Sequence, residues 1–181
     1  RVSLWGFSEN EWLWYDTVGA SGTGSVSVSA NAEYVAVGSA YQGTTKGEVS
    51  VYDRAGNIRW SYVVDEFFPS GDYSVSISSD GRYVAAGNRD NDSLFFLDVV
   101  DEQLVWSYVT GYIRGVSISG DGRYVAAATA DAVYLFDRDG ALHWTIEMQD
   151  IEDVSISADA SLIGIVTLDN KVYAYASVPS C

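Results

Sequence analysis

The chain has 181 residues, 48% of them hydrophobic and 14% aromatic, which suits one well-buried domain and excludes a disordered chain. Its 25 acidic residues against 10 lysines and arginines give a formal charge of −15, which argues against nucleic acid and anionic membrane surfaces as partners. No apolar run approaches the roughly 18 residues of a membrane-spanning helix, so the sequence predicts a globular domain without membrane insertion.

Short apolar runs bounded by turn residues predict β-strands along the whole chain. The first segment, residues 1–17, matches the third and fourth strands of a repeating unit, with Trp14 in the place that Trp60 has in the next unit. Three complete units are predicted at residues 25–64, 73–109 and 115–147. A partial unit follows at 153–176, and residues 177–181 form a tail, so the sequence predicts a single domain over residues 1–176.

Each unit contains four predicted strands of differing side-chain size. The first is a Val-Ser-Val-Ser or Val-Ser-Ile-Ser run, which begins at Val26, Val75, Val116 and Val154. A tight turn leads to a second strand rich in alanine and glycine, the third strand carries tyrosine and phenylalanine, and the fourth carries tryptophan. A period of about 40 residues with four antiparallel strands is typical of propeller blades.

The increase in side-chain volume across the unit favours a propeller over a β-sandwich. Radially packed blades are crowded at the axis and spread at the rim, so close packing requires small residues inside and large ones outside. A two-layer sandwich has no reason for this gradient. The sequence therefore predicts an all-β fold, a β-propeller of four-stranded antiparallel blades, with about four blades in this chain.

The repeated segments also resemble known propeller families. The pattern "VSIS-x-DG-x-YVAAG…VYLFD" resembles the WD-repeat blade, without its Gly-His pair and Trp-Asp dipeptide. The segments "DRAGNIRW" at 53–60 and "DRDGALHW" at 137–144 are similar to the Asp…Gly…Trp repeat of quinoprotein-type propellers. The resemblance covers residues 25–176 and implies a propeller of the archaeal or bacterial exported type, located outside the cell or on its surface. It implies no particular activity.

The number of predicted strands leaves ring closure open. In one alternative the chain forms a small ring of four blades, in which the strand at residues 12–16 joins the last blade as a clasp and one strand is surplus. In the other it is an arc of a larger propeller, completed by further residues or by a second chain. An open arc exposes a blade face and a sheet edge, which favours association.

The irregular loops are expected at one end of the propeller, opposite the short hairpin turns, and this end is the predicted binding surface. Its aromatic and acidic side chains suit a cationic protein patch or a glycan. The predicted binding residues are Tyr41, Phe67, Phe68, Asp90, Asp92, Tyr112, Asp131 and Asp169. In the alternative interpretation, Phe67 and Phe68 fold over the rim and the acidic residues are only solvated. Asn91, in an Asn-Asp-Ser sequon, is a candidate glycosylation site.

No enzymatic activity, metal site or cofactor is predicted. The single His143 lies beside Trp144 and no Gly-x-Ser-x-Gly motif occurs, which argues against a serine hydrolase triad. One histidine and one cysteine, Cys181, cannot form a zinc site. Calcium held by Asp90 and Asp92, or by the acidic residues within 150–153, is an alternative that lacks an EF-hand loop.

The sequence thus favours a non-enzymatic binding or scaffold propeller that recognises a protein or a glycan through its irregular loops. Two alternatives remain at this stage. One is a structural assembly unit whose incomplete blade is filled by a neighbouring chain. The other is a glycoside hydrolase that uses a pair of carboxylates, for which Asp131 and Asp169 are the candidates.

Overall fold

The computed structural model describes residues 2–6, 11–16, 22–40, 46–64, 73–88 and 92–176, and all regular structure in these ranges is β-strand. The strands are β1 Val2–Gly6, β2 Glu11–Asp16, β3 Gly22–Val28, β4 Tyr34–Ala40, β5 Gly47–Asp53, β6 Ile58–Val64, β7 Tyr73–Ile77, β8 Tyr83–Asn88, β9 Ser93–Asp98, β10 Gln103–Val109, β11 Ile113–Ile118, β12 Tyr124–Thr129, β13 Ala132–Asp137, β14 Leu142–Glu147, β15 Ile151–Ile156, β16 Leu162–Thr167 and β17 Val172–Ala176. The described residues include no helix of the length and apolarity that crossing a bilayer requires.

Within each sheet, strands that are consecutive in the sequence pair in antiparallel fashion. In the described residues, blade 1 (β3–β6), blade 2 (β7–β10) and blade 3 (β11–β14) each have four strands, blade 4 (β15–β17) has three, and β1 and β2 form a half-blade. The predicted all-β fold of four-stranded antiparallel blades is therefore confirmed.

The blades are arranged around their first strands. Strand β3 lies against β7, β7 against β11, and β11 against β15, so the small Val-Ser strands form the inner edge. The tryptophan that recurs from unit to unit lies on the opposite, outer strand of each sheet: Trp14 on β2, Trp60 on β6, Trp106 on β10 and Trp144 on β14. Small residues inside and indoles outside are the arrangement that the volume gradient predicts.

Each complete blade buries apolar residues on both faces. The leading face of a blade is the one that packs on the next blade in sequence, and the trailing face is the one that packs on the preceding blade. Leading residues Leu94 and Phe96 of blade 2, for example, contact trailing residues Val116, Ile118 and Val125 of blade 3. Because both faces are covered, strands such as β8 and β12 need consecutive small apolar residues rather than alternation with polar ones.

The hairpin between the first two strands is built by a serine and an acidic or amide residue two positions later. In blade 2, the hydroxyl of Ser78 donates to Asp80 Oδ1 at 2.6 Å and accepts from the amide of Tyr83 at 3.0 Å. The same pairs recur at Ser29–Asn31, Ser119–Asp121 and Ser157–Asp159. The Ser-x-Asp sequence therefore determines this turn locally.

These turn carboxylates predict an acid-sensitive contribution to stability. Hydrogen bonds from the Ser157 hydroxyl, and from the amide and hydroxyl of Ser161, lower the pKa of Asp159 from 3.8 to about 2. A folded-state pKa below the unfolded one stabilises the protein above about pH 4, and the contribution is lost as pH falls towards 2. We expect the destabilisation caused by Asp159→Ala, measured by urea unfolding, to shrink over that interval.

Asn31→Ala is the matched control for Asp159→Ala. Asn31 occupies the equivalent position in blade 1 and accepts from the amide of Glu33 at 3.1 Å, but it does not titrate. Substitution of Asn31 should lower the free energy of unfolding by the same amount at each pH between 4 and 2. A cost of Asp159→Ala that does not change with pH would contradict the role assigned to the ionised carboxylate.

Serine hydroxyls on the first strands also join one blade to the next. Ser25 and Ser27 of blade 1 accept hydrogen bonds from the amides of Val75 and Ile77 in blade 2, each at 3.2 Å. Ser74, Ser76 and Ser117 do the same at the next two junctions, at 2.9 to 3.1 Å. The serines of the Val-Ser-Ile-Ser run thus accept hydrogen bonds from amides at the inner edge of each sheet, where no further strand pairs with those amides.

The first described strands do not close the last blade. Strand β2 pairs with β1, and no pairing between β2 and β17 occurs among the described residues. The half-blade instead packs on blade 1, where the Trp14 ring stacks on Tyr52 at a centroid distance of 5.2 Å. The clasp of the closed-ring alternative, formed by the strand at residues 12–16, is therefore not seen among the described residues.

Candidate binding surface at the irregular-loop end

The described members of the predicted binding set lie at one end of the blades. The carbonyl of Asp92, in the loop between β8 and β9, accepts from the amide of Thr110 at 2.8 Å in the connection to blade 3. The carbonyl of Asp131 accepts from the amide of Met148 at 3.0 Å in the connection to blade 4. These bonds join the loops that follow second strands to the links between blades, so both kinds of loop form one surface.

Five of the sequence-predicted site residues lie outside the described residues: Tyr41, Phe67, Phe68, Asp90 and Asn91. Their assignment to the binding surface, or to a glycosylation site, therefore stays a prediction. The described residues Asp92, Tyr112, Asp131 and Asp169 are all exposed. Tyr112 is the aromatic residue of these four, and it is 42% exposed.

Two charged residues outside the predicted binding set, Arg114 and Glu152, form an ion pair beside Tyr112. Arg114 Nη1 forms an ion pair with Glu152 Oε2 at 2.8 Å, and the guanidinium carbon of Arg114 lies 5.9 Å from the centroid of the Tyr112 ring. The Arg114 side chain is only 22% exposed, so the pair is partly shielded from water. Tyr112, Arg114 and Glu152 together are called the mouth cluster below.

Backbone bulges bring the mouth cluster together. The register of β11 shifts between Ile113 and Gly115, and that of β15 shifts between Ile151 and Asp153, so Arg114 and Glu152 are the extra residues of equivalent bulges. A bulge turns a side chain away from the regular strand alternation. Both bulges lie on first strands, which places the ion pair at the inner edge of the irregular-loop end.

Asp131 and Asp169 occupy equivalent turns and stabilise them. The hydroxyl of Thr129 donates to Asp131 Oδ1 at 2.8 Å, and that of Thr167 donates to Asp169 Oδ1. Asp169 is also ion-paired with Lys171, whose ammonium group lowers the pKa of Asp169. A glycosidase acid needs a raised pKa, so the environment of Asp169 suits a turn carboxylate better than a proton donor.

No group of three or more histidine, cysteine, aspartate or glutamate side chains suited to a metal ion occurs in the part of the chain that the structure describes. In the acidic segment 150–153, Glu152 pairs with Arg114, and Asp153 Oδ1 accepts from the amide of Val154 at 2.8 Å. Asp90 of the other calcium alternative lies outside the described residues.

The opposite end of the blades is formed by short turns and holds an ion pair whose carboxylate is buried and whose guanidinium is 40% exposed. Asp98, only 4% exposed, accepts from Arg82 Nη2 at 2.9 Å and from the amides of Val100 and Asp101 at 3.0 and 3.1 Å. Burial by itself would raise the pKa of Asp98, but the Arg82 guanidinium and the two amides outweigh it and the pKa is lowered. These contacts connect turns of one blade, which is a structural role.

His143 lies at the same end. Its Nε2 is 3.2 Å from Asp137 Oδ2, and its ring meets the Tyr124 ring edge-on at 5.6 Å. Asp137 also accepts from the amides of Asp139 and Ala141 in its own turn. His143 therefore packs against the outer part of blade 3.

Comparison with known proteins supports the fold and leaves the function open. No protein-family model matches the chain, and no curated protein matches it. The chain is similar to a solved structure described as Kuenenia stuttgartiensis hydrazine synthase, with a TM-score of 0.69 and 17% sequence identity. The match covers 90% of this chain and 48% of the other, so the chain spans about half the length of that neighbour. At this identity the likeness shows a β-propeller-type fold alone.

Proposed function

We propose that the chain is a non-enzymatic propeller module that binds a protein or a glycan through its irregular-loop end. The observation that carries the proposal is the mouth cluster, which presents the exposed Tyr112 ring beside a partly buried Arg114–Glu152 ion pair. An aromatic face held next to charged groups suits both a sugar ring and a protein side chain. A WD-like or quinoprotein-like repeat of an exported or surface protein agrees with this role.

Charge favours a cationic protein patch as the ligand. Two described cations at this end, Arg114 and Lys171, are each paired with a carboxylate. Exposed carboxylates at the same end include Asp92, Asp131 and Asp150. Because the chain carries a formal charge of −15, the field at this end attracts positive groups and accelerates their association.

Binding can be tested with two probes, an oligolysine peptide and a panel of neutral oligosaccharides. We expect one of them to bind, and Tyr112→Ala to weaken that binding about tenfold or more, because a central aromatic contact contributes on the order of 2 kcal/mol. Isothermal titration calorimetry measures the affinity. Binding of oligolysine, but not of the sugars, should weaken as salt is added.

Tyr15→Ala is the matched control for Tyr112→Ala. Tyr15 is 62% exposed on β2, an outer strand away from the irregular-loop end, and its substitution should leave the affinity unchanged. Equal weakening by both substitutions would mean that neither reports on a specific surface. Failure of both probes to bind would reject the proposal in this form.

A further inference from the structure

Arg138 of blade 3 reaches across a junction and lies on a tyrosine of blade 2. Its guanidinium carbon is 4.6 Å from the centroid of the Tyr83 ring. Its Nε donates to the carbonyl of Gly122 at 3.2 Å, and its Nη2 donates to the carbonyl of Asp121. At the end of the blades formed by the short turns, a ring face and two turn carbonyls thus hold a guanidinium group.

The repeat places an equivalent set of residues at the junction between blades 1 and 2. At both junctions a glycine of the first turn packs on the tyrosine ring, and its φ is positive, +79° for Gly81 and +66° for Gly122. The backbone amides of Val99 and Arg138 each donate at 2.8 Å to the carbonyl of the arginine that follows the first turn. Four positions therefore correspond: Tyr34 to Tyr83, Asp80 to Asp121, Gly81 to Gly122 and Val99 to Arg138.

The place of the guanidinium is open at the junction between blades 1 and 2. A pocket of about 170 Å³ lies there, called the Tyr34 pocket below, and all four corresponding residues line it. The short side chain of Val99 replaces the arginine, and no guanidinium of the described residues lies over the Tyr34 ring. The Asp80 carbonyl is met by Asn31 Nδ2 at 3.5 Å, the limit of a hydrogen bond, so it stays available as an acceptor.

The residues around the Tyr34 pocket carry a net negative charge. Two acidic and two basic residues line it: Asp80, Glu102, Arg59 and Arg82. Arg82 is bound in turn by two further aspartates, at 2.9 and 2.8 Å, which neutralise its charge. Four carboxylates therefore surround two guanidinium groups, and this excess favours a positive ligand.

We propose that the Tyr34 pocket binds a guanidinium group, supplied by an arginine side chain of a partner protein. The ligand repeats the contacts that Arg138 makes one junction later, because its plane lies on the Tyr34 ring and its N–H groups donate to the carbonyls of Asp80 and Gly81. A guanidinium suits this place better than an ammonium group, since its planar fork stacks on a ring and reaches two acceptors at once. The site lies at the opposite end from the irregular loops and is independent of the binding surface proposed there.

Titration with N-acetyl-argininamide, followed by NMR spectroscopy, tests the proposal. We expect the parent chain to bind this probe in the millimolar range, with shifts centred on the Tyr34 ring, and not to bind the neutral isostere N-acetyl-citrullinamide. Val99→Arg should lose this site, because its own guanidinium then fills the pocket as Arg138 fills the next one. Tyr112→Ala, at the irregular-loop end, is the control and should bind the probe as the parent does.

Two further variants test the site in the opposite direction. Arg138→Val empties the place over Tyr83 and should add one binding site for the probe, with unchanged circular dichroism. Arg59→Gln should tighten binding at the Tyr34 pocket by about twofold to threefold at low salt, because it removes a like charge from the lining. Failure of the parent to bind, an unchanged number of sites in Val99→Arg, or weaker binding by Arg59→Gln would each overturn the proposal.

Discussion

Replacing Phe96 with alanine is expected to lower the free energy of unfolding by about 3–5 kcal/mol. Phe96 is fully buried on the leading face of blade 2, between the Tyr83 ring at 5.4 Å and the Trp106 ring at 5.2 Å. The Trp106 ring in turn lies 5.4 Å from Phe136 of blade 3. Deleting the phenyl ring removes the centre of an aromatic stack that connects two blades and leaves a cavity that rigid neighbouring strands cannot fill.

Urea unfolding measures this loss, and Phe95→Ala is the matched control. Phe95 is the preceding residue of β9, points to the opposite face and is only partly buried, so its truncation should cost clearly less. If the two substitutions lower the free energy of unfolding by the same amount, the stacking of Phe96 between Tyr83 and Trp106 adds nothing to stability. A loss below about 1 kcal/mol for Phe96→Ala would mean that the junction between blades 2 and 3 is not the close-packed core described above.

Replacing Gly81 with alanine is expected to destabilise the protein by about 2–4 kcal/mol, through backbone strain and a steric clash. Gly81 has a φ of +79°, and a Cβ atom there would overlap Cδ2 of the Tyr34 ring and lie 2.7 Å from Cγ. Tyr34 belongs to blade 1 and Gly81 to the first turn of blade 2, so the clash would separate two blades. The glycine is therefore required by a junction as well as by its turn.

Gly111→Ala separates the two causes. Gly111 has a φ of +94°, but no atom lies within 4 Å of a Cβ built at that position. Its substitution should therefore cost only the backbone component, about 1 kcal/mol. Thermal or urea unfolding of both variants gives the comparison. An equal cost at the two positions would show that the approach of Tyr34 to Gly81 contributes nothing.

Local sequence features were sufficient to predict the strands and their order. The Ser-x-Asp turns, the Val-Ser-Ile-Ser strands and the tryptophans of the fourth strands each have a nearby physical cause, because hairpins form between consecutive segments. The gradient of side-chain volume correctly predicted which strand lies inside. Asp131 and Asp169, which the sequence analysis named as candidates, lie in equivalent turns where threonine hydroxyls are bonded to both carboxylates.

The mouth cluster could not be predicted in the same way. Arg114 and Glu152 are separated by 38 residues and meet only because equivalent bulges turn both side chains out of the strand alternation. In the sequence a bulge is only one additional residue before the Val-Ser-Ile-Ser run. A search for alternating side chains along strands does not detect it. A contact between two blades also depends on how the blades are placed around the axis, which no single repeat contains.

The sequence by itself determined the all-β class, the four-stranded unit and the radial direction of each blade, because turn chemistry and side-chain volume act within about 40 residues. Only the tertiary structure decided that the half-blade packs on blade 1 instead of joining blade 4. Ring closure is a sum of small rotations between successive blades. Each rotation is set by packing across a junction, so the outcome depends on the whole arc and not on any one repeat.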